Sequence, residues 1–175
     1  MKTPVLITER LLLRHFYTED ATDVFYGWES DPEVSKYMFW KSHNDINKTI
    51  QWVEDEVSKI DSDTWYRWAI ISKEEGKLLG TCLIYFNEEY GEYEVAYNLS
   101  KNAWGKGYVT EAMKDVIKFA KNELGINKVM GRCVKENLSS RKVMKNLGFN
   151  FNRYIPYECN MGENTYDGEE YILSL

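Results

Sequence analysis

Three groups of residues in this chain have types and spacings that could do chemistry. The first is Gly105-Lys106-Gly107, which runs into Val109, Ala112, Met113, Val116, Ile117 and Ala120. That i, i+3, i+4, i+7, i+8, i+11 spacing predicts one buried face of a helix. A glycine turn feeding such a helix offers free backbone N–H groups and the positive dipole end to an anion, so a phosphate-bearing ligand is expected. The second is Glu94, which alternates with Glu92, Ala96 and Asn98 against Tyr93, Val95, Tyr97 and Leu99 in a period-two strand pattern. Charged residues inside a strand are unusual. Either that face is partly wet or Glu94 lies on the floor of a cleft and serves as a base. The third is Asn137-Leu138-Ser139-Ser140, where Asn137 is placed to cap a helix and a cap can also hold a ligand.

Other chemistries are excluded by spacing. A Walker loop needs Lys followed by Ser or Thr, and Lys106 is followed by Gly107-Tyr108; the dinucleotide fingerprint fails at Thr110. Cys82, Cys133 and Cys159 lack metal spacing and read as reduced thiols. His15 and His43 are too far apart to suggest a metal pair, so no metal is expected, and no Gly-x-Ser-x-Gly elbow exists. A net charge of -6 argues against direct nucleic-acid binding. No apolar run reaches the ~18 residues of a membrane span, and Glu9, Arg10 and Arg14 make the first segment no signal peptide. A cytoplasmic protein is expected.

The elements that must position these groups follow from the pattern. Its 175 residues suit one domain, 1–175. Val5 to Phe16 predicts a first strand. Thr18 predicts the N-cap of a helix reaching about Glu29, and Asp31-Pro32 starts a short helix that ends near Tyr37 to Trp40. Ile46, Ile50, Val53, Val57 and Ile60 mark a third helix. Strands are expected over Trp65–Ser72, Lys77–Asn87 and Glu92–Leu99, an antiparallel meander. After the glycine turn and its helix come a strand Lys128–Lys135, a helix Asn137–Leu147, and strands Phe149–Glu158 and Tyr166–Ser174. Cys159 to Asn164 reads as an exposed hairpin tip. This order defines an α+β fold.

Five segments in order carry a family resemblance: Thr8-Glu9-Arg10-Leu11-Leu12-Leu13-Arg14; Asp20-Ala21 with Asp31-Pro32-Glu33-Val34; Glu94-Val95-Ala96-Tyr97; Trp104-Gly105-Lys106-Gly107-Tyr108-Val109-Thr110-Glu111-Ala112; and Asn137 through Met144 to Leu147-Gly148-Phe149. The chain resembles the GNAT acyl-CoA N-acyltransferases, in particular the RimJ/RimL type that acetylates ribosomal-protein N-termini. The resemblance implies a single GNAT-like domain, with a mixed, mostly antiparallel twisted sheet flanked by helices and a V-shaped split between the fourth and fifth strands. It implies acetyl-CoA as co-substrate. The pyrophosphate loop falls on Asn102 to Gly107, with Trp104, Gly105 and Lys106 in it and Tyr108, Val109 and Thr110 following. The family's Gln or Arg at the head of that loop is Asn102 here, so backbone N–H groups must carry the contact. Tyr97, Asn98 and Leu99 would pair with the pantetheine arm, and Asn137 would orient it. Where many relatives carry a tyrosine that protonates the thiolate, this chain has Met144, and Ser140 is the substitute.

The implied mechanism is direct attack by an amine in a ternary complex. Glu94 takes the ammonium proton, directly or through water, and backbone donors at Asn98 or Leu99 stabilise the oxyanion. The acceptor would lie between the segment Trp28 to His43, with Trp28, Tyr37 and Trp40 as wall residues, and the late hairpin near Tyr154 to Tyr166, with Glu92 and Tyr154 contributing. Deprotonating an α-amine of pKa ~8 at pH 7 costs roughly 1.4 kcal/mol, against about 4.6 for a lysine of ~10.4. This favours a peptide N-terminus or a small low-pKa amine over lysine, and a peptide or protein N-terminal α-amine is the expected acceptor. A small amine (aminoglycoside, polyamine or amino acid) is the alternative, and a non-catalytic acyl-CoA sensor is the reading from another class. An exposed strand edge gives a homodimer a place to form.

Overall fold

The computed structural model describes residues 1–175. The chain runs β1 (Leu6–Ile7), β2 (Leu11–Arg14), α1 (Ala21–Val24), α2 (Pro32–Ser35), α3 (Ile46–Ser58), β3 (Trp65–Ser72), β4 (Leu78–Asn87), β5 (Glu92–Leu99), α4 (Tyr108–Asn122), β6 (Lys128–Val134), α5 (Leu138–Asn146), β7 (Asn150–Cys159) and β8 (Asn164–Ser174). All strands belong to one sheet, ordered β1-β2-β3-β4-β5-β6-β8-β7. Every pairing is antiparallel except β5 with β6.

The expected first strand, Val5 to Phe16, is a small hairpin instead, with Leu6 opposite Leu13. Thr8 turns the chain: its N–H donates to Leu11 O at 2.9 Å, and its Oγ1 accepts from Leu11 N–H at 3.0 Å. The first helix also differs. Tyr17, not Thr18, is its N-cap, because the Asp20 carboxylate accepts from Tyr17 N–H at 2.8 Å while held by the Arg14 fork. It opens as a 3-10 turn, passes through α1 and ends in a π turn, Phe25–Glu29.

Helices cover both faces of the sheet. The stripe on α4 buries Val109, Ala112, Met113, Val116 and Ala120 against Leu11, Trp68, Ile70, Val95 and Leu99 on one face. On the other, α1–α3 bury Val24, Trp28, Val34 and Val53 against Phe16, Ala69 and Ile71. Burying such aliphatic side chains contributes about 1.5–3 kcal/mol each before chain entropy is counted. No helix is long and apolar enough to cross a membrane.

Two features shape the functional region. Pairing between β5 and β6 covers only Tyr93 with Val129, Glu94 with Met130 and Val95 with Gly131, and stops there. These are the fourth and fifth strands of the sequence reading once the first hairpin is counted as one, and they open into a V beyond Val95. The second feature is the β7–β8 tip, exposed over residues 161–164 as expected and yet tied down by its backbone. The turn between β7 and β8 is docked on the segment after α2: Asn160 N–H donates to Met38 O at 2.9 Å and Met161 N–H to Phe39 O at 2.5 Å. The Asn160 side-chain amide also donates to Ser35 O and Trp40 O.

Candidate active site

A cavity of about 530 Å³ runs from the α1–α3 face through the V to the α4–α5 face. On the first side its wall includes Glu29, Tyr37, Trp40, Arg67, Tyr85, Glu94 and Arg132; on the second, Tyr97, Asn137, Ser140 and Met144.

The opening between β5 and β6 exposes strand backbone. Ser100 N–H reaches Leu79 O and Phe86 N–H reaches Thr64 O, so β4 and β5 alternate in step. The even-numbered residues of β5 turn their peptide groups to β4, and the odd-numbered ones turn them toward β6. Tyr93 and Val95 meet β6; Tyr97 and Leu99 face the split. Of the two donors expected for an oxyanion, the register therefore favours Leu99 over Asn98. Leu99 O accepts from the Trp104 indole at 2.9 Å, which closes that end of the edge.

The glycine turn has the expected character. Gly105 and Gly107 adopt φ of 73° and 78°, the left-handed region that an L side chain enters at a cost. Gly107 caps α4 without a side-chain acceptor, so the first N–H groups of the helix remain available. The turn is braced from the first hairpin. Glu111 accepts from Thr8 Oγ1 at 2.6 Å, Arg10 N–H at 2.8 Å and Arg10 Nε at 2.6 Å, while Arg10 NH1 donates to Lys106 O at 3.0 Å. Burial alone would push the Glu111 carboxyl up; these donors outweigh it and hold it below its ordinary value. Tyr108 lies under the Arg10 guanidinium, Val109 is in the core, and Asn102 sits in an exposed 3-10 turn. An uncapped helix start behind two left-handed glycines, beside an unpaired strand edge, fits the diphosphate and amide-bearing arm of acetyl-CoA.

Asn137 caps α5 as expected, accepting from Ser140 N–H at 3.2 Å. This places Ser140 Oγ 3.0 Å from Tyr97 Oη. Burial raises the Tyr97 phenol, partly offset by the Ser140 contact, so it stays protonated and can donate. Cys133 is buried beside Ser140, and burial pushes its thiol up to about 11. Met144 is buried on Gly131, where a Cβ would come within 2.4 Å of its Cε.

Glu94 lies in the cavity wall, and its carboxylate is heavily engaged. It accepts from Arg132 Nε and NH2, both at 2.9 Å, from Tyr85 Oη at 2.8 Å and from Asn87 Nδ2 at 2.7 Å. The pair ties β5 to β6 at the apex of the V, next to the last register match. Of the expected acceptor residues, Tyr37 and Trp40 line the cavity. Trp28 does not: it is fully buried in the α1–α3 core. Glu92 is turned to Lys128, and Tyr154 is 67% exposed on β7, outside this cavity. Trp28 is on the core side of its helix; Glu92 shares the Glu94 side of β5 but lies further from the V and pairs with Lys128, and Tyr154 lies on the edge strand β7.

Glu29, Arg67, Tyr85 and Arg132 were not anticipated. Glu29 is 3% exposed. Its Oε1 accepts from the Trp28 indole at 3.1 Å, and Oε2 stands 3.7 Å from His43 Nε2. Burial pushes its carboxyl up to about 7, against the opposing pull of the Trp28 bond and Arg67. The available signal was an acid in the last turn of a helix, where the dipole disfavours negative charge. Arg67 Nε comes within 3.0 Å of Glu56 Oε2 but is not aimed at it, so the contact is an ion pair with no hydrogen bond at that nitrogen. Trp52 and Trp65 flank its guanidinium at 5.3 and 5.4 Å.

The GNAT acetyltransferase domain family matches residues 10–150. An uncharacterized N-acetyltransferase of Bacillus licheniformis, p20, is 36% identical over 148 residues, covering 82% of this chain and 81% of that protein. Among solved structures, the ribosomal-protein-S5-alanine acetyltransferase of Vibrio fischeri superposes with a TM-score of 0.82 at 17% identity, over 98% of this chain and 96% of the other. The microcin C7 self-immunity acetyltransferase MccE, solved with acetyl-CoA and AMP, gives 0.83 at 18% identity over 95% and 93%. The chain belongs to the GNAT family of acetyl-CoA-dependent N-acetyltransferases.

Proposed function

We propose that this enzyme moves the acetyl group of acetyl-CoA to a primary α-amine, with a peptide or protein N-terminus as the favoured acceptor. The observation that carries the reading is the split: one cavity joins an unpaired strand edge to a chamber holding two carboxylates. The thioester supplies the activated acyl group. The chain supplies the rest. Tyr97 and Leu99 align the arm, and Leu99 N–H is placed to bind the carbonyl oxygen. The Tyr97–Ser140 pair gives the departing thiolate a proton.

The cavity's size supports an acceptor entering end-on, since about 530 Å³ shared with the thioester end of the arm leaves room for a small amine or the first residue or two of a peptide. The lower cost of deprotonating an α-amine supports the same choice over lysine. The Vibrio fischeri structural relative is named for acetylating an alanine of ribosomal protein S5, and alanine carries no side-chain amine. Three buried free cysteines fit a reducing compartment such as the cytoplasm. The test is thiol release from acetyl-CoA with a panel of N-terminal peptides, polyamines, aminoglycosides and free amino acids. Fastest release with peptides is expected. Release only with polyamines or aminoglycosides moves the acceptor to that class, and tight coenzyme A binding without release on any amine makes the domain a sensor.

A further inference from the structure

The cavity is lined by two buried carboxylates, and they are in opposite states of engagement. Glu94 accepts four hydrogen bonds, two of them from Arg132. A proton placed on it would leave the part-buried Arg132 cation without its partner. Glu29 accepts one hydrogen bond, at Oε1, and its Oε2 accepts none. The π turn that ends the first helix directs it into the cavity, and His43 N–H donates to Glu29 O, fixing the two residues together. The charged groups around Glu29 are few. Arg67 faces it from β3 and is shared with Glu56 of α3; His43 faces it from the loop before α3, with Lys48 behind.

We propose that Glu29 is the catalytic residue that takes the proton from the acceptor ammonium, and that His43 passes that proton to solvent. This rests on the acetyl transfer proposed above. The ammonium N–H proton goes to Glu29 Oε2, and the freed nitrogen lone pair forms the C–N bond. The C–S bond breaks with its electron pair on sulfur. The thiolate takes a proton from the Tyr97–Ser140 pair, which the second nitrogen proton replaces. One proton is left over per turnover, and it leaves through His43. Burial lowers the imidazole's proton affinity, so the ring is neutral near pH 7. With Nδ1 donating to Thr49 Oγ1 at 2.7 Å, Nε2 presents its lone pair to Glu29. Burial also keeps the Glu29 carboxyl near 7, where a base can both accept and release a proton at working pH.

The experiment compares wild type, Glu29→Gln, Glu29→Asp and Glu94→Gln, using acetyl-CoA and the panel amine that wild type acetylates fastest. Glu29→Gln is expected to lower kcat by about 10²-fold, in the range a general base supplies, with KM changed less than about twofold. The acid limb of the kcat profile, centred near 7, is lost in Glu29→Gln, displaced in Glu29→Asp and kept in Glu94→Gln. In parallel, the infrared C=O stretch of a protonated carboxyl titrates near 7 in wild type and Glu94→Gln and disappears in Glu29→Gln. An unchanged acid limb or a surviving titration in Glu29→Gln overturns the assignment. Absence of turnover by wild type on every amine is a different failure, since it sinks the transfer itself.

Discussion

A carboxyl held near neutrality has a consequence for stability. The Glu29 carboxyl rises from its ordinary 4.5 to about 7 on folding. Between those values the folded chain holds this proton more tightly than the unfolded chain does. Its contribution is therefore full below about 4.5 and is lost as pH rises through about 7, amounting to about 3 kcal/mol. Glu111 and Glu170 work in the other direction, since their donors depress them and their contributions fade as pH falls below the ordinary range. Glu29→Gln should flatten the alkaline side of the stability profile and make the protein more stable than wild type at pH 8. Urea denaturation at pH 5, 6, 7 and 8 measures this. A wild-type profile already flat from 5 to 8 would contradict it. The same substitution should thus stabilise the fold and slow the enzyme, a trade commonly found at sites built around buried charge.

At the scale of elements, the strand edge proposed to receive the pantetheine arm depends on a glycine one strand away. Gly80 faces Leu99 across β4 and β5, and a Cβ there would lie 2.3 Å from Asn98 O and 2.7 Å from Leu99 Cα. Backbone cannot swing aside as a side-chain tip can. Gly80→Ala should cost about 1–3 kcal/mol and raise the KM for acetyl-CoA more than that for the amine. Equilibrium denaturation and initial-rate kinetics read both effects; equal changes in the two KM values would argue against a local effect on β5. This scale was also the most legible in the sequence. Alternation from Glu92 to Leu99 and the Val109–Ala120 stripe reflect burial on one side, which is a local pattern. The first hairpin was not legible, because Val5 to Phe16 is rich in aliphatic residues on both sides of the turn and the turn at Thr8 depends on Glu111, 103 residues away. Glu29 was hidden for a similar reason. What distinguishes it from any helical acid is burial by His43, Trp28 and the cavity wall, which only the tertiary arrangement supplies.

Across the whole molecule, the far end of the chain closes the chamber that the near end begins. The β7–β8 tip holds Ser35, Met38, Phe39 and Trp40 by their backbones, with Asn160 and Met161 both at positive φ. Asparagine tolerates that region better than most residues, and its side chain makes two of the bonds. Asn160→Ala should lose about 1–2 kcal/mol and raise the acceptor KM several-fold while leaving that for acetyl-CoA within about twofold. Faster amide exchange at Met161 would accompany it. No change in exchange would show that the tip is held by other contacts. The sequence marked these residues as an exposed hairpin turn correctly and carried no sign of the docking, because contact with a segment 120 residues away leaves no local periodicity.

The Trp104 indole bond to Leu99 O gives the open edge of β5 a defined end. With that carbonyl taken, the stretch facing the split offers Tyr97 N–H, Tyr97 C=O and Leu99 N–H, in that order along the chain. An incoming arm meets donor, acceptor, donor. That row reads the same from either end, so it sets how far an arm can slide along β5 and not which way round it lies. Direction falls to the other end of the proposed site: an uncapped helix start at Gly107 that takes the diphosphate leaves the thioester end for the chamber beside Ser140.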